Sequence, residues 1–245
     1  MTYAKSEAKD HARAHLRGIW AAALMPFSEE LSMNEMGLRR NLRHWVDDLG
    51  IDGVFIAGKQ SEFFSMSVAE RKRAFEITVD EVGRRAGVIA SCSDQNMDVV
   101  IELAKHAQAV GADYIVVHAP VLHFLHQQDE TLYQYYKTIS ERIDIGIAMW
   151  SHPDSGYLMS PELCARIAEL PNIVAIKYSV PREMCDTRDL FALRSPGSVS
   201  PLCLTCAPVK ANGAARKARE RDKRACEIRS APGDRQGVGG ASPPR

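Results

Sequence analysis

Between residues 18 and 184, short and nearly unbroken apolar runs alternate with longer stretches whose apolar residues recur every third or fourth position. The short runs predict strands at Ile19–Phe27, ended by Pro26-Phe27, and at Gly53–Ala57, Val88–Ala90, Asp113–Val117, Ile145–Trp150 and Ile173–Lys177. The longer stretches predict helices over Asn34–Asp48, Val68–Arg85, Met97–Val110, Leu132–Arg142 and Pro161–Glu169. In the first of these, Leu38, Leu42, Trp45, Val46 and Leu49 fall along one face. Ser67 with Glu70 three positions on is a capping-box pattern at the start of the second, and Pro161 suits the first turn of the last.

Strands without polar alternation are buried on both faces, which is the habit of parallel sheets covered by helices. Strand-helix units at a spacing of roughly 30 residues predict an α/β fold with a parallel sheet, either doubly wound or closed as a (β/α)8 TIM barrel. Periodicity does not choose between the two. Both place their sites beyond the carboxyl ends of the strands.

The pattern stops near Met184. Residues 185–245 carry nine Arg and three Lys against four Asp and two Glu, a net +6, whereas the chain as a whole is neutral with 31 basic and 31 acidic residues. Six Gly, six Pro and one Phe, with no Trp or Tyr, leave this tail too little apolar area to offset the entropy of ordering it. It is expected to be disordered or poorly packed, or to be read out of the original frame, because GC-rich sequence in a wrong frame reads as Arg, Ala, Pro and Gly. The organisation expected is therefore an N-terminal extension at 1–17, a barrel-like domain at 18–184 and a basic tail at 185–245.

Composition excludes more than it selects. The neutral total points to neither nucleic acid nor membrane, and the basic stretch Arg216–Arg224 reads first as a solvated helix. No apolar run reaches about 18 residues, and Met1–Arg17 lacks the apolar centre of a signal peptide, so a cytoplasmic protein is expected. Six cysteines without a framework fit a reduced compartment; Cys203 and Cys206 have CxxC spacing but no second pair or nearby His to complete a metal set, so no metal is expected.

Lys177 closes the apolar strand Ile173–Ile176, where a buried strand meets a loop. A lysine with an apolar surround loses hydration of its ammonium form, its pKa falls, and the free amine can attack a ketone to form a Schiff base. A strand-ending lysine that simply reaches solvent is the competing account.

Several segments in order carry a resemblance: Gly18-Ile19-Trp20 through Met25-Pro26-Phe27, Gly58-Lys59-Gln60-Ser61-Glu62, Trp150 to Glu162, and Ile173 to Lys177 with Tyr178-Ser179. Together they resemble the dihydrodipicolinate synthase and N-acetylneuraminate lyase family over about residues 18–184. The resemblance implies a TIM barrel of class I aldolase type, incomplete here with about six units recognisable. It implies Lys177 as the imine-forming lysine, a pyruvate-type 2-oxo acid as substrate, no cofactor, and a homo-oligomer such as a homotetramer. It also implies that Gly58, Gln60 and Ser61 bind the substrate carboxylate.

Three departures from the family pattern matter. Lys59, Gln60 and Ser61 replace three residues of the usual Gly-Thr-Thr-Gly-Glu loop. Trp150 stands where the family usually has a proton-transferring tyrosine, and an indole has no ionisable hydroxyl. Val121 and Leu122 replace tyrosines usual after the fourth strand. His118 and His152, at the same end of the barrel, are candidates for acid–base work in place of the tyrosine, with His123 and His126 nearby in sequence. Trp150 is expected either to line the pocket or to pack in the core. The chain thus reads as a Schiff-base lyase (an aldolase, hydratase-aldolase or dehydratase) other than a true dihydrodipicolinate synthase, or as a truncated, non-catalytic relative whose first and sixth strands would be unpaired edges.

Overall fold

The structure is a computed structural model that describes residues 2–120, 128–151, 159–178 and 200–201. A short 3-10 turn, Lys5–Glu7, leads into α1 (Ala8–His15). There follow β1 (Trp20–Ala22), α2 (Glu35–Arg43), β2 (Gly53–Ile56), α3 (Val68–Val82), β3 (Gly87–Ser91), α4 (Met97–Val110) and β4 (Tyr114–His118). Then come α5 (Asp129–Arg142), β5 (Gly146–Ser151), α6 (Pro161–Ala168), β6 (Ile173–Tyr178) and the two-residue β7 (Ser200–Pro201). All neighbouring strands are parallel, and the sheet order β1-β2-β3-β4-β5-β6-β7 follows the chain. This is part of a TIM barrel, open among the described residues.

The helices start as their sequences require. Asn34, Ser67, Asn96 and Ser160 each accept a backbone N–H of the first turn, and Glu70 reaches back to Ser67 to complete the capping box. The helix expected to run regularly to Asp48 instead passes into a π-helical turn at His44–Asp48. The wider turn takes Leu49 off the apolar stripe, so Leu38 and Leu42 are wholly buried while Leu49 is 60% exposed.

Two layers of apolar packing sit on the two faces of the sheet. The outer one lies between strands and helices and includes Val54, Ile56, Ile115, Val117, Ile147 and Met149. The inner one consists of Trp20, Phe55, Ile89, Tyr114, Val116, Ala148 and Trp150, joined by Tyr3, Ala8, Ala12 and Leu16 from the N-terminal segment. Residues 1–17, expected only as an extension, thus supply a helix that covers the inner face near the amino ends of the strands. Trp20 lies across the first residues of β2 and β3: a Cβ on Gly53 or on Gly87 would meet its ring at 2.3 Å. Only glycine admits the indole there.

Of the tail expected to be irregular, all but Ser200–Pro201 lies outside the described residues. Those two correct one expectation, because β7 pairs with β6 and Lys177's strand is not an edge.

Candidate active site

Parallel register brings the carboxyl ends of three strands together, with His118 paired to Trp150 across β4 and β5, and Trp150 to Lys177 across β5 and β6. Which face Lys177 takes depends on an irregularity. Ile147 pairs with Ile173 but the next residue, Ala148, pairs with Ala175, so Val174 is an extra residue in β6. Both Val174 and Ala175 consequently belong to the inner layer, while Ile173 and Ile176 belong to the outer one. Strict alternation from Ile173 would have put Lys177 on the outer face, under the helices. The bulge reverses the parity and turns Lys177 into the barrel.

There its amine rests on an aromatic wall. Lys177 Nζ is 3.5 Å from the centroid of the Trp150 ring and 5.7 Å from that of Phe55, and the two rings meet edge-to-face at 5.8 Å. Burial, and then the nearby positive charge of Lys59, lower the Lys177 pKa to about 8. The free amine, which is the state that attacks a carbonyl, is therefore far more populated near neutral pH than in an ordinary lysine.

His118 is buried, with its ring 3.8 Å from that of Trp150 at an interplanar angle of 61°. Its backbone N–H donates to Ser93 Oγ at 2.9 Å. Arg71, itself buried, fixes that neighbourhood by donating to the carbonyls of Ser91 (3.0 Å) and Ser93 (2.8 Å) and to Asp94 (3.2 Å). Its guanidinium lies over the Phe63 ring. Sequence reasoning passed over Arg71, because a basic residue among Glu70, Lys72 and Arg73 on a helix reads as solvated. Phe55 was legible as the inward residue of β2, between outward Val54 and Ile56, and was not singled out.

The loop after β2 is held in an uncommon conformation. Ala57 and Glu62, on either side of Gly58–Ser61, both have left-handed φ angles, 53° and 56°. Such backbone costs of order 1 kcal/mol or more per residue and persists where the surroundings impose it. Part of the imposition is Ser61, wholly buried, whose hydroxyl donates to the Ala23 carbonyl at 2.6 Å. The Ser61 proton is thus committed to backbone, where it pins the loop to the end of the first strand. The Gln60 side chain is exposed, and Gly58 is buried at the turn.

Trp150 is 2% exposed and is both a core residue and the surface on which Lys177 lies, so the two accounts of it merge. His152, His123 and His126, together with Val121 and Leu122, lie outside the described residues. Among the described residues no three His, Cys, Asp or Glu side chains are grouped to hold a metal, and no helix is long and apolar enough to cross a membrane.

The model of the dihydrodipicolinate synthetase family matches residues 15–191. The chain belongs to that family. An N-acetylneuraminate lyase of Clostridium perfringens is 34% identical over 166 residues, which are 67% of this chain and 57% of the relative. A 4-hydroxy-tetrahydrodipicolinate synthase of Methanothrix thermoacetophila is 33% identical over 162 residues, 66% of this chain and 53% of the relative. The chain therefore spans little more than half the length of these curated relatives. Among solved structures, CdNal from Clostridium difficile in complex with mannosamine superposes with a TM-score of 0.67 at 31% identity, covering 73% of this chain and 62% of that one. Dihydrodipicolinate synthase from Aquifex aeolicus superposes with a TM-score of 0.70 at 25% identity, covering 86% and 76%. As a dihydrodipicolinate synthetase family member, the chain has its depressed lysine at the carboxyl end of the sixth strand and an indole beside it in register.

Proposed function

We propose that the chain forms a Schiff base between Lys177 and a pyruvate-type 2-oxo acid and acts as a lyase on it, by aldol cleavage, hydration with aldol cleavage, or dehydration. The observation that carries this is Lys177 Nζ, turned inward by the Val174 bulge, set 3.5 Å over the Trp150 ring and acidified to about 8. The free amine adds to the keto carbon, water leaves, and the protonated imine then accepts the electron pair of the bond that breaks, giving an enamine. The indole face supports this step twice, by drying the amine and by stabilising the cation that the imine becomes.

Family membership in a group that includes lyases and synthases supports the reaction class, and Trp150 argues against the synthase's own chemistry. An indole has no hydroxyl to relay a proton. We assign the acid–base role to His118, whose imidazole touches the same indole as Lys177. The same membership supports a homo-oligomer, which light scattering of the purified protein would check.

Borohydride trapping tests the reading. Incubation with pyruvate and reduction should add the mass of a reduced pyruvate imine to the peptide carrying Lys177. The trapping rate at fixed pyruvate should rise with pH to a midpoint of about 8, because the neutral amine is the nucleophile. A folded protein that gives no adduct with any of several 2-oxo acids is instead a non-catalytic member of the family.

A further inference from the structure

Arg71 is 2% exposed, although it stands on α3 beside residues that serve the surface. Its neighbours Lys72 and Arg73 pair with the carboxylates of Glu102 at 2.6 Å and Glu35 at 2.7 Å, whereas the Arg71 guanidinium is directed at the end of β3. Burying such a cation is costly, and an apolar residue of similar volume often serves stability as well. What its bonds hold in place is therefore informative.

The ladder between β3 and β4 ends at the pair Ser91 and Val116, so His118, two residues on, lies beyond it. Its backbone N–H donates instead to a side chain, Ser93 Oγ, at 2.9 Å. Ser93 is itself held by Arg71, which donates to its carbonyl at 2.8 Å, to the Ser91 carbonyl at 3.0 Å and to Asp94 at 3.2 Å. A second route reaches the imidazole. The guanidinium lies 5.1 Å from the centroid of the Phe63 ring, and that ring lies 5.9 Å from the His118 ring. One buried cation thus holds both the backbone anchor and a ring neighbour of His118.

Resting on the assignment of acid–base work to His118, we infer that Arg71 is the positioning residue of that imidazole, holding it through Ser93 and Phe63 beside the carbon that loses a proton. In the imine of pyruvate with Lys177 that carbon is the methyl carbon. His118 takes its proton, the electrons of the broken bond form a double bond to the former keto carbon, and the imine pair returns to the Lys177 nitrogen. Imine formation needs the amine, but enamine formation also needs the base within reach, and a misplacement of about 1 Å costs on the order of a hundredfold. Loss of Arg71 therefore slows the second step and spares the first.

The test follows both steps with pyruvate in heavy water. Borohydride trapping of Lys177 reads the imine, and deuterium entering the pyruvate methyl group, followed by mass spectrometry, reads the enamine. Native protein is compared with His118→Gln, Arg71→Lys and Ser93→Ala, each checked for folding by circular dichroism. His118→Gln should lower exchange about a hundredfold or more. Arg71→Lys, which keeps the charge and loses the forked donors, should lower exchange about a hundredfold while trapping stays within about twofold of native. Ser93→Ala, which removes one link and leaves Arg71 in place, should lower exchange about tenfold. Arg71→Lys added to His118→Gln should slow exchange no further, a non-additivity that a merely structural role does not produce. Native exchange in Arg71→Lys overturns the role of Arg71 and leaves His118 standing; where that variant does not fold, native exchange in Ser93→Ala does the same. Equal loss of trapping and exchange in a folded Arg71→Lys protein also overturns it. Native exchange in His118→Gln, or no exchange in native protein that traps pyruvate, removes the acid–base assignment and this inference with it. Native protein that neither traps nor exchanges removes the Schiff base as well.

Discussion

At the lower end of the sheet the polar groups of the N-terminal segment meet matched partners, whereas at the upper end a lysine lies on an indole within the field of a second lysine. Tyr3 donates to the Asp113 carbonyl and accepts from the Gly146 N–H at 2.9 Å, Lys9 donates to the Ala168 carbonyl at 2.8 Å, and the His11 ring meets the Tyr114 hydroxyl at 2.6 Å. Trp20 donates to the Arg17 carbonyl at 3.0 Å and packs against Gly53 and Gly87. Above, Lys177 has been driven well below the ordinary lysine value. The lower end satisfies what it buries and so holds the strands together; the upper end leaves a charge disfavoured and so makes a reagent of it. Barrels divide stability and chemistry between their ends in this way.

The comparison is most exposed to test at Lys177. Lys177→Met should remove the trapped adduct, a fall of about a thousandfold or more, with no loss of stability. A Met variant that still traps pyruvate at a native rate would place the nucleophile elsewhere.

The Val174 bulge sets the facing of Lys177, and an alanine inserted between Ile176 and Lys177 undoes it. The inserted residue takes the position paired with Trp150, and Lys177 moves one place on, to the face covered by helices. Trapping should fall to the Lys177→Met background in protein that keeps its helical circular dichroism. Native trapping in the insertion variant would show that the facing of Lys177 is incidental.

That bulge also marks where the sequence stops being legible. The strand and helix order, the caps at Ser67 and Ser160, and the strand-end positions of His118, Trp150 and Lys177 all follow from apolar runs and their punctuation. The facing of Lys177 does not, because an extra residue in β6 changes parity without changing composition. Two other features were hidden for related reasons. The α1 contribution to the inner layer rests on Ala8 and Ala12, small residues that bury completely while adding little to an apolar run. The bond of the Ser61 hydroxyl was illegible because its partner, Ala23, is distant in sequence and offers only a carbonyl.

A smaller effect is expected at the lower end. Gly53→Ala places a methyl 2.3 Å from the Trp20 ring, a flat and rigid neighbour, so the indole or the start of β2 must move. Overpacking of this kind costs about 1–3 kcal/mol. Chemical denaturation should show that loss, and borohydride trapping of the variant below its melting temperature should stay near native. Loss of trapping in a still-folded Gly53→Ala protein would mean that the two ends are coupled and not divided.

The smallest effect follows from the same lysine that dominates the chemistry, and its sign is opposite to the usual cost of a mutation. The folded-state pKa of Lys177 is about 8 against 10.5 for the free side chain, so the unfolded chain binds this proton more tightly than the folded one. Below pH 8 the ammonium is present in both states and the folded protein bears the full penalty of drying it. Between pH 8 and 10.5 the penalty fades as pH rises, and above 10.5 the amine is neutral in both states and the penalty is gone. Each pKa unit corresponds to about 1.4 kcal/mol, but Lys177 is only half-buried, and solvent screening leaves about 1–2 kcal/mol. Lys177→Met, which keeps the apolar stem on Trp150 and omits the charge, should therefore be more stable than native by about that amount at pH 7 and by nearly nothing at pH 11. Denaturation midpoints of the two proteins across that range decide it. A gain independent of pH would trace the effect to packing, and the upper end of the sheet would then owe its reactivity to something other than the cost of burying a charge.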